Sequence, residues 1–415
     1  MIQVNRSSLR MLAAVLAAVL AAVLGLMSGA LFAQTAGPVR IGVLTDMQSG
    51  FSGWSGKGSA LAAQMAVEDY ERSAGKLPFR VEILTADHQN KADIGSSLTR
   101  KWLDEGVNAI VDVPNSAVLL AVNFLVKNSN AVLLVSGGGH ELITGKDCSP
   151  NTVHWTFDLW SLARNTSTTV VERGGDTWYF LTSDFAGGLG LERVATNFAT
   201  AAGARVLGST RPPLNTVDYS SFLLQAQGSK ARIVALAMGG ADYVNAVKQA
   251  GEFGLVDGGQ KLMAFTAFMS DVHSLGLKAA KGIIATTAFY WDIDDGKRAF
   301  ARRFAERNGG AYPSDVQAGV YASIQHYLKA MTAAGTRAGP RVVEKMKELP
   351  TDDPLFGRGT IRGDGRKLHD MYVVEVKSPA ESRGAWDYFK VLKTVPAAQA
   401  FRPELPDECA LVKRK

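Results

Sequence analysis

At 415 residues, with 47% hydrophobic and 20% charged side chains, the chain has the composition of a soluble globular protein long enough for two cores. Its net charge of +6 includes Arg6 and Arg10, and the other lysines and arginines are scattered, which excludes nucleic acid as the expected partner. Two cysteines and six histidines show no cluster with metal-ligand spacing, so no metal and no cofactor is expected.

The chain opens with Arg6 and Arg10, an Ala/Val/Leu run over 11–26, and the small residues Ser28, Gly29 and Ala30. That is the pattern of a secretory signal, with residues 1–33 removed and the mature fold starting near Pro38. A retained membrane helix is the alternative, but no charged stop follows the run. No cysteine follows it either, which argues against a lipid anchor. In an exported protein, Cys148 and Cys409 most simply form one disulfide tying the tail to the middle of the chain; lone thiols are the alternative.

Residues 39–70 carry the first fold signal. The apolar run 41–44 reads as a buried parallel strand ending at Thr45 and Asp46. A loop follows with Gly50, Gly53, Gly56 and Gly58, the serines 49, 52 and 55, and the aromatics Phe51 and Trp54. A helix starts at Ser59. Strand, glycine-rich loop and helix can offer backbone N–H groups to a ligand anion. The first glycine comes too late for a dinucleotide fingerprint, and Gly56-Lys57 is followed by Gly58 instead of Ser or Thr, so neither nucleotide motif is present.

From there strands are expected at 80–85, 108–113, 131–135, 152–155, 177–181, 205–208, 232–237, 261–265 and 282–289. Helices are expected between them at 94–105, 118–128, 159–173, 191–202, 243–253 and 272–277. Such alternation means parallel sheets covered on both faces, an α/β fold. The last third departs from it, with helices at 297–308, 314–334 and 341–349, a turn-rich stretch, and strands at 371–376 and 387–392.

Ligands of open α/β sheets sit beyond the carboxyl ends of the strands. Here those ends carry Pro114-Asn115-Ser116, Ser136-Gly137-Gly138-Gly139-His140, Thr156-Phe157-Asp158, Ser183-Asp184-Phe185-Ala186-Gly187 and Met238-Gly239-Gly240-Ala241-Asp242. In their order, with IGVLTDMQSGFSGWSGKGSALAAQMAVED at the start and PSDVQAGVYASIQHYLKAM late in the chain, these loops resemble the substrate-binding proteins of ABC transporters in the branched-chain amino acid (Leu/Ile/Val-binding) family. The resemblance implies a type I periplasmic-binding fold with two doubly wound parallel-sheet lobes joined by a three-crossover hinge. It places an N-terminal lobe at 38–156 and 288–365 and a C-terminal lobe at 157–287 and 366–415. It implies a monomer in the periplasm that delivers a small solute to an ABC permease of the inner membrane, without chemistry on it.

By the same resemblance, a ligand carboxylate is held by Asn115, Ser116, Ser136, Gly137 and Gly138, and Phe185 of the Asp184-Phe185-Ala186 loop covers it from the second lobe. Amino-acid binders of the family carry an acid late in the second lobe for the ligand ammonium, and the matching stretch 264–268 has none. A buried, unpaired ammonium is costly, so Asp158, Asp184 or Asp242 must substitute, or the ligand lacks an amine. Ser49, Phe51, Trp54, Trp155, Phe265 and Phe268 complete the expected site, which points to a carboxylate with an apolar or aromatic body, or a branched-chain amino acid. His140 and His154 lie close enough to offer hydrogen bonds. Two other readings stay open: an exported amidase or esterase, for which no G-x-S-x-G elbow exists, and a ligand-sensing receptor subunit.

Overall fold

The structure is a computed structural model that describes residues 37–413 apart from Lys76 and Pro78; the expected signal segment 1–33 lies outside the described residues. The first run is β1 (Val39–Thr45), α1 (Gly56–Ala74), β2 (Val81–Asp87), α2 (Ala92–Asp104), β3 (Ala109–Asp112), α3 (Ser116–Val126), β4 (Val132–Val135) and β5 (Thr152–His154). Its strands form a parallel sheet in the order β2-β1-β3-β4-β5. β4 is Val-Leu-Leu-Val and buried throughout, as a parallel strand covered on both faces requires.

The second run is α4 (Leu159–Glu172), β6 (Thr177–Thr182), α5 (Ala186–Ala201), β7 (Arg205–Thr210), α6 (Ser220–Gly228), β8 (Ile233–Ala237), α7 (Gly240–Glu252), β9 (Lys261–Ala264), α8 (Met269–Leu275), α9 (Leu277–Ala280) and β10 (Ile284–Thr287). Then come α10 (Asp295–Arg307), α11 (Asp315–Ala334), α12 (Gly339–Glu348), a small hairpin of β11 (Thr351–Asp353) and β12 (Gly357–Gly359), and the strands β13 (Met371–Val376) and β14 (Phe389–Val395). The second sheet has the order β14-β13-β10-β9-β8-β6-β7. It is parallel from β7 to β10, while β13 and β14 add an antiparallel edge that the expectation of two parallel sheets did not include.

The chain passes between the lobes three times: after β5, after β10, where α11 and α12 pack on the first lobe, and before β13. α11 packs on α1 of the first lobe, where Tyr70 Oη donates to Thr332 Oγ1 at 3.0 Å and Gln325 Nε2 to Ala66 O at 2.8 Å. Cys148 and Cys409 form the expected disulfide, with Cα atoms 5.7 Å apart. It holds the tail beside β5: Arg362 Nη1 donates to Arg402 O at 2.6 Å, and Gly363 N–H to Glu404 Oε1 at 2.9 Å. Among the described residues no helix is long and apolar enough to cross a membrane.

Two local expectations change. α1 begins at Gly56, ahead of Ser59, because the Gly56 N–H donates to Thr45 Oγ1 at 2.9 Å and its φ of +56° suits glycine. α6 falls where no element was expected; only Leu223 and Ala226 of its residues are buried, too few for a clear apolar period.

Candidate functional site

The cavity between the lobes lies at the carboxyl ends of both sheets. From the first lobe it is lined by Phe51, Trp54, Pro114, Ser116, Gly137 and Gly139, and from the second by Phe157, Leu159, Phe185, Gly187, Leu191, Met238, Gly239, Thr266 and Phe268. The space between the lining atoms, counted out to where the cavity opens to solvent, amounts to about 420 Å³. Five of the lining side chains are aromatic and none is ionisable.

The first-lobe wall rests on strained backbone. At the end of β3, Asp112 and Val113 have φ of +85° and +55°. That region is rare for any residue with a side chain, and rarer still for a β-branched one. Burial raises the Asp112 carboxyl to about 7, an effect partly offset by the hydroxyls of Ser59 and Thr45 facing it. The Asp112 carbonyl accepts the Gly137 N–H at 3.0 Å, which draws the Ser136–Gly139 loop against the 112–114 turn. Only glycine fits there: a Cβ on Gly137 would lie 2.5 Å from Asp112 Oδ1, and one on Gly138 would lie 2.6 Å from Val113 O. His154 Nε2 stands 2.9 Å from Gly138 O and so carries the ring proton; burial holds this imidazole neutral, well below its ordinary range.

Hydrogen bonding decides which expected residues reach the cavity. Asn115 Oδ1 is taken up in capping α3, accepting from Ala117 N at 2.9 Å and Val118 N at 3.2 Å. The next residue, Ser116, lines the cavity. Among the described residues its Oγ and the Gly139 N–H have no hydrogen-bond partner in the protein, so both can donate to a ligand. Gly187 of the opposite lobe shares this end, since a Cβ there would lie 3.2 Å from Ser116 Oγ and 2.6 Å from the Phe185 ring. Aromatic contacts continue along the cavity, with ring centroids 6.0 Å apart for Phe51 and Phe185, 4.7 Å for Trp54 and Phe268, and 5.8 Å for Phe157 and Phe268.

Phe51, Trp54, Ser116, Gly137, Phe185 and Phe268 are thus brought together, and the other expected residues are placed elsewhere. The amides and hydroxyl of the 48–51 loop turn inward: Ser49 N, Ser49 Oγ and Phe51 N donate to the Asp46 carboxylate at 2.8–2.9 Å, so Ser49 is engaged there. Ser136 is buried beneath its loop, against Gly319. Gly138 backs onto Val113 O, behind the lining. Trp155 is fully buried beside His326, with Lys367 Nζ 5.5 Å from its ring. Phe265 is equally buried, stacked on Phe180 at 6.4 Å.

None of the three aspartates offered as ammonium partners lines the cavity. Asp158 Oδ1 accepts the Ser161 N–H at 2.7 Å to cap α4, and its other oxygen faces Arg366 Nη1 at 3.7 Å. Asp184 is exposed, and Asp242 Oδ2 accepts from Ser183 Oγ at 2.6 Å. His140 Nδ1 accepts the Leu142 N–H at 3.3 Å, so both histidines serve backbone groups. The lining residues not singled out from the sequence, among them Phe157, Met238, Gly239 and Thr266, belong to the same strand-end loops and sit one to four positions from the residues that were.

A family model described as periplasmic binding protein matches residues 38–384. The solved structure of a periplasmic binding protein from Burkholderia mallei is 42% identical, over 91% of this chain and 99% of that one, with a TM-score of 0.86. A branched chain amino acid ABC transporter periplasmic ligand-binding protein from Burkholderia xenovorans is 38% identical, over 88% and 97% of the two chains, with a TM-score of 0.77. An ABC transporter solute binding protein from R. palustris in complex with benzoate shares the fold at 18% identity, over 87% and 97%, with a TM-score of 0.77. No curated protein matches the chain. The chain belongs to the periplasmic binding protein family, in the branched-chain amino acid type that serves ABC transporters.

Proposed function

We propose that this protein is the exported receptor of an ABC transporter for a small carboxylic acid with an apolar or aromatic body and no amine. The observation that carries this reading is a cavity with five aromatic side chains, one wall of hydroxyl and amide donors, and no ionisable group. A carboxylate can be held by Ser116 Oγ and the Gly139 N–H, while an ammonium would be buried without an anion, at a cost of several kcal/mol. The benzoate bound by the R. palustris protein has this chemistry. The lobes take the residues 38–156 with 288–365 and 157–287 with 366–415, and ligand contacts from both favour the closed form that the permease recognises. The protein acts in the periplasm as a monomer, with its signal segment removed.

Ser116→Ala tests the donor wall. Loss of one hydrogen bond to a charged oxygen is expected to weaken benzoate binding about 10-fold, with the ligand-free melting temperature unchanged. Titration of intrinsic tryptophan fluorescence, with Trp54 in the wall, reads both proteins. Equal affinities would remove Ser116 from the site.

A further inference from the structure

Building on that reading, we infer that the contact between Gly50 and the Gly240–Ala241 turn seals the closed cleft and limits the length of ligand it accepts. Gly50 belongs to the first lobe, in the loop after β1, and Ala241 to the first turn of α7 in the second. The Ala241 N–H donates to Gly50 O at 3.0 Å, a backbone hydrogen bond between the lobes. Ala241 lies in the first helical turn, where no intrahelical acceptor is available to its N–H.

The carbonyl is aimed by Asp46. The N–H and C=O of a trans peptide point in opposite directions, and the Phe51 N–H donates to Asp46 Oδ2 at 2.8 Å. The Gly50 carbonyl on that same peptide therefore points away from Asp46, across the cleft. Asp46 is fixed in turn by Ser49 N at 2.9 Å and by Asn90 Nδ2 at 2.8 Å. Gly240 has φ of +60°, and a Cβ on it would lie 1.9 Å from Gly50 O and 3.1 Å from the Phe51 ring. No residue but glycine at 240 lets the lobes meet in this way. Phe51, Met238 and Gly239, next to the contact in sequence, line the cavity, so the seal stands directly behind that part of its wall. A ligand reaching past that wall holds the carbonyl and the amide apart and loses the closed state.

Two experiments test this. The first needs no ligand: a Cβ on Gly50 would stand 3.9 Å from Ala241 Cβ, inside the disulfide range of about 3.5–4.5 Å. The double variant Gly50→Cys with Ala241→Cys is expected to crosslink under mild oxidation, identified by peptide mapping beside the native Cys148–Cys409 bond. Failure to crosslink would overturn the seal. The second is calorimetry with benzoate and biphenyl-4-carboxylate. The wild type is expected to prefer benzoate about 100-fold, and Gly240→Ala and Ala241→Pro to weaken benzoate by about 30-fold or more. Proline is tolerated in a first helical turn, so Ala241→Pro removes the donor while sparing the strained φ at 240. Equal binding of the two acids, or unchanged benzoate affinity in both variants, would overturn the proposal. A wild type that ignores both acids would count against the preceding reading, with the crosslink still deciding the seal.

Discussion

Replacing Cys148 and Cys409 by serine is expected to lower the melting temperature by about 6 °C at neutral pH, with the ligand site unaffected. The bond closes a loop of 261 residues, for which chain entropy alone predicts about 5 kcal/mol of stabilisation. For a chain of this size each kcal/mol moves the transition by a little over 1 °C, on the order of the per-residue unfolding entropy. In the folded state the change is confined to the tail. Without the bond the tail loses its tether near Gly145, and Phe401 can leave the Arg366 guanidinium, 4.5 Å above its ring. Arg366 is fully buried and opposed by Asp158 only at 3.7 Å, so losing Phe401 removes a cation–π contact from a charge otherwise held by backbone carbonyls. Differential scanning calorimetry of the two proteins, with reductant absent, checks the shift. Equal melting temperatures would mean that the tail is held by its other contacts.

The second large effect concerns Asp112. Its carboxyl is raised to about 7 in the folded protein from an ordinary value near 3.8. A raised carboxyl means that the folded state holds the proton more tightly than the unfolded chain. The associated stability is therefore complete below the unfolded value and declines as pH rises through about 7. Asp271, raised to about 7, and Asp315, raised to about 6, act in the same direction, each chiefly by burial. Asp112→Asn removes the titration while keeping shape, and asparagine tolerates the φ of +85° better than most residues. The variant is expected to be more stable than the wild type by about 2–4 kcal/mol at pH 8 and nearly equal to it at pH 4.5. Urea unfolding at the two pH values measures this. A variant equally stabilised at both, or destabilised at pH 8, would contradict a buried carboxyl that resists ionisation.

The architecture was readable because buried parallel strands are written as short apolar runs, as in Val132–Val135, and each ends in a polar or glycine-rich loop. Loop identity carried over well; residue choice within a loop did not. Asn115 and Ser116 are adjacent and both polar, yet only the backbone geometry of α3 decides which one caps the helix and which one faces the cavity. Phe265 and Phe268 are the same residue type three positions apart, one in the second-lobe core and one in the wall. The glycine-rich 50–58 loop suggested amides offered to an anion. Instead the Ser49 and Phe51 amides go to Asp46 and the Gly56 amide to Thr45, and the glycines serve contacts: Gly58 makes room for Gln317, and Gly50 meets Gly240. Such roles depend on partners some 190 to 260 positions away in the chain, which no local pattern encodes. The disulfide needed no such knowledge, because an exported chain with two cysteines has one pairing.

The central claim is that the cleft takes an acid without an amine. Isothermal titration of the mature protein with benzoate and, separately, with leucine tests it most directly. One site per chain is expected for benzoate, and no measurable heat of saturation with leucine. Saturable binding of leucine, with benzoate inert, would contradict it.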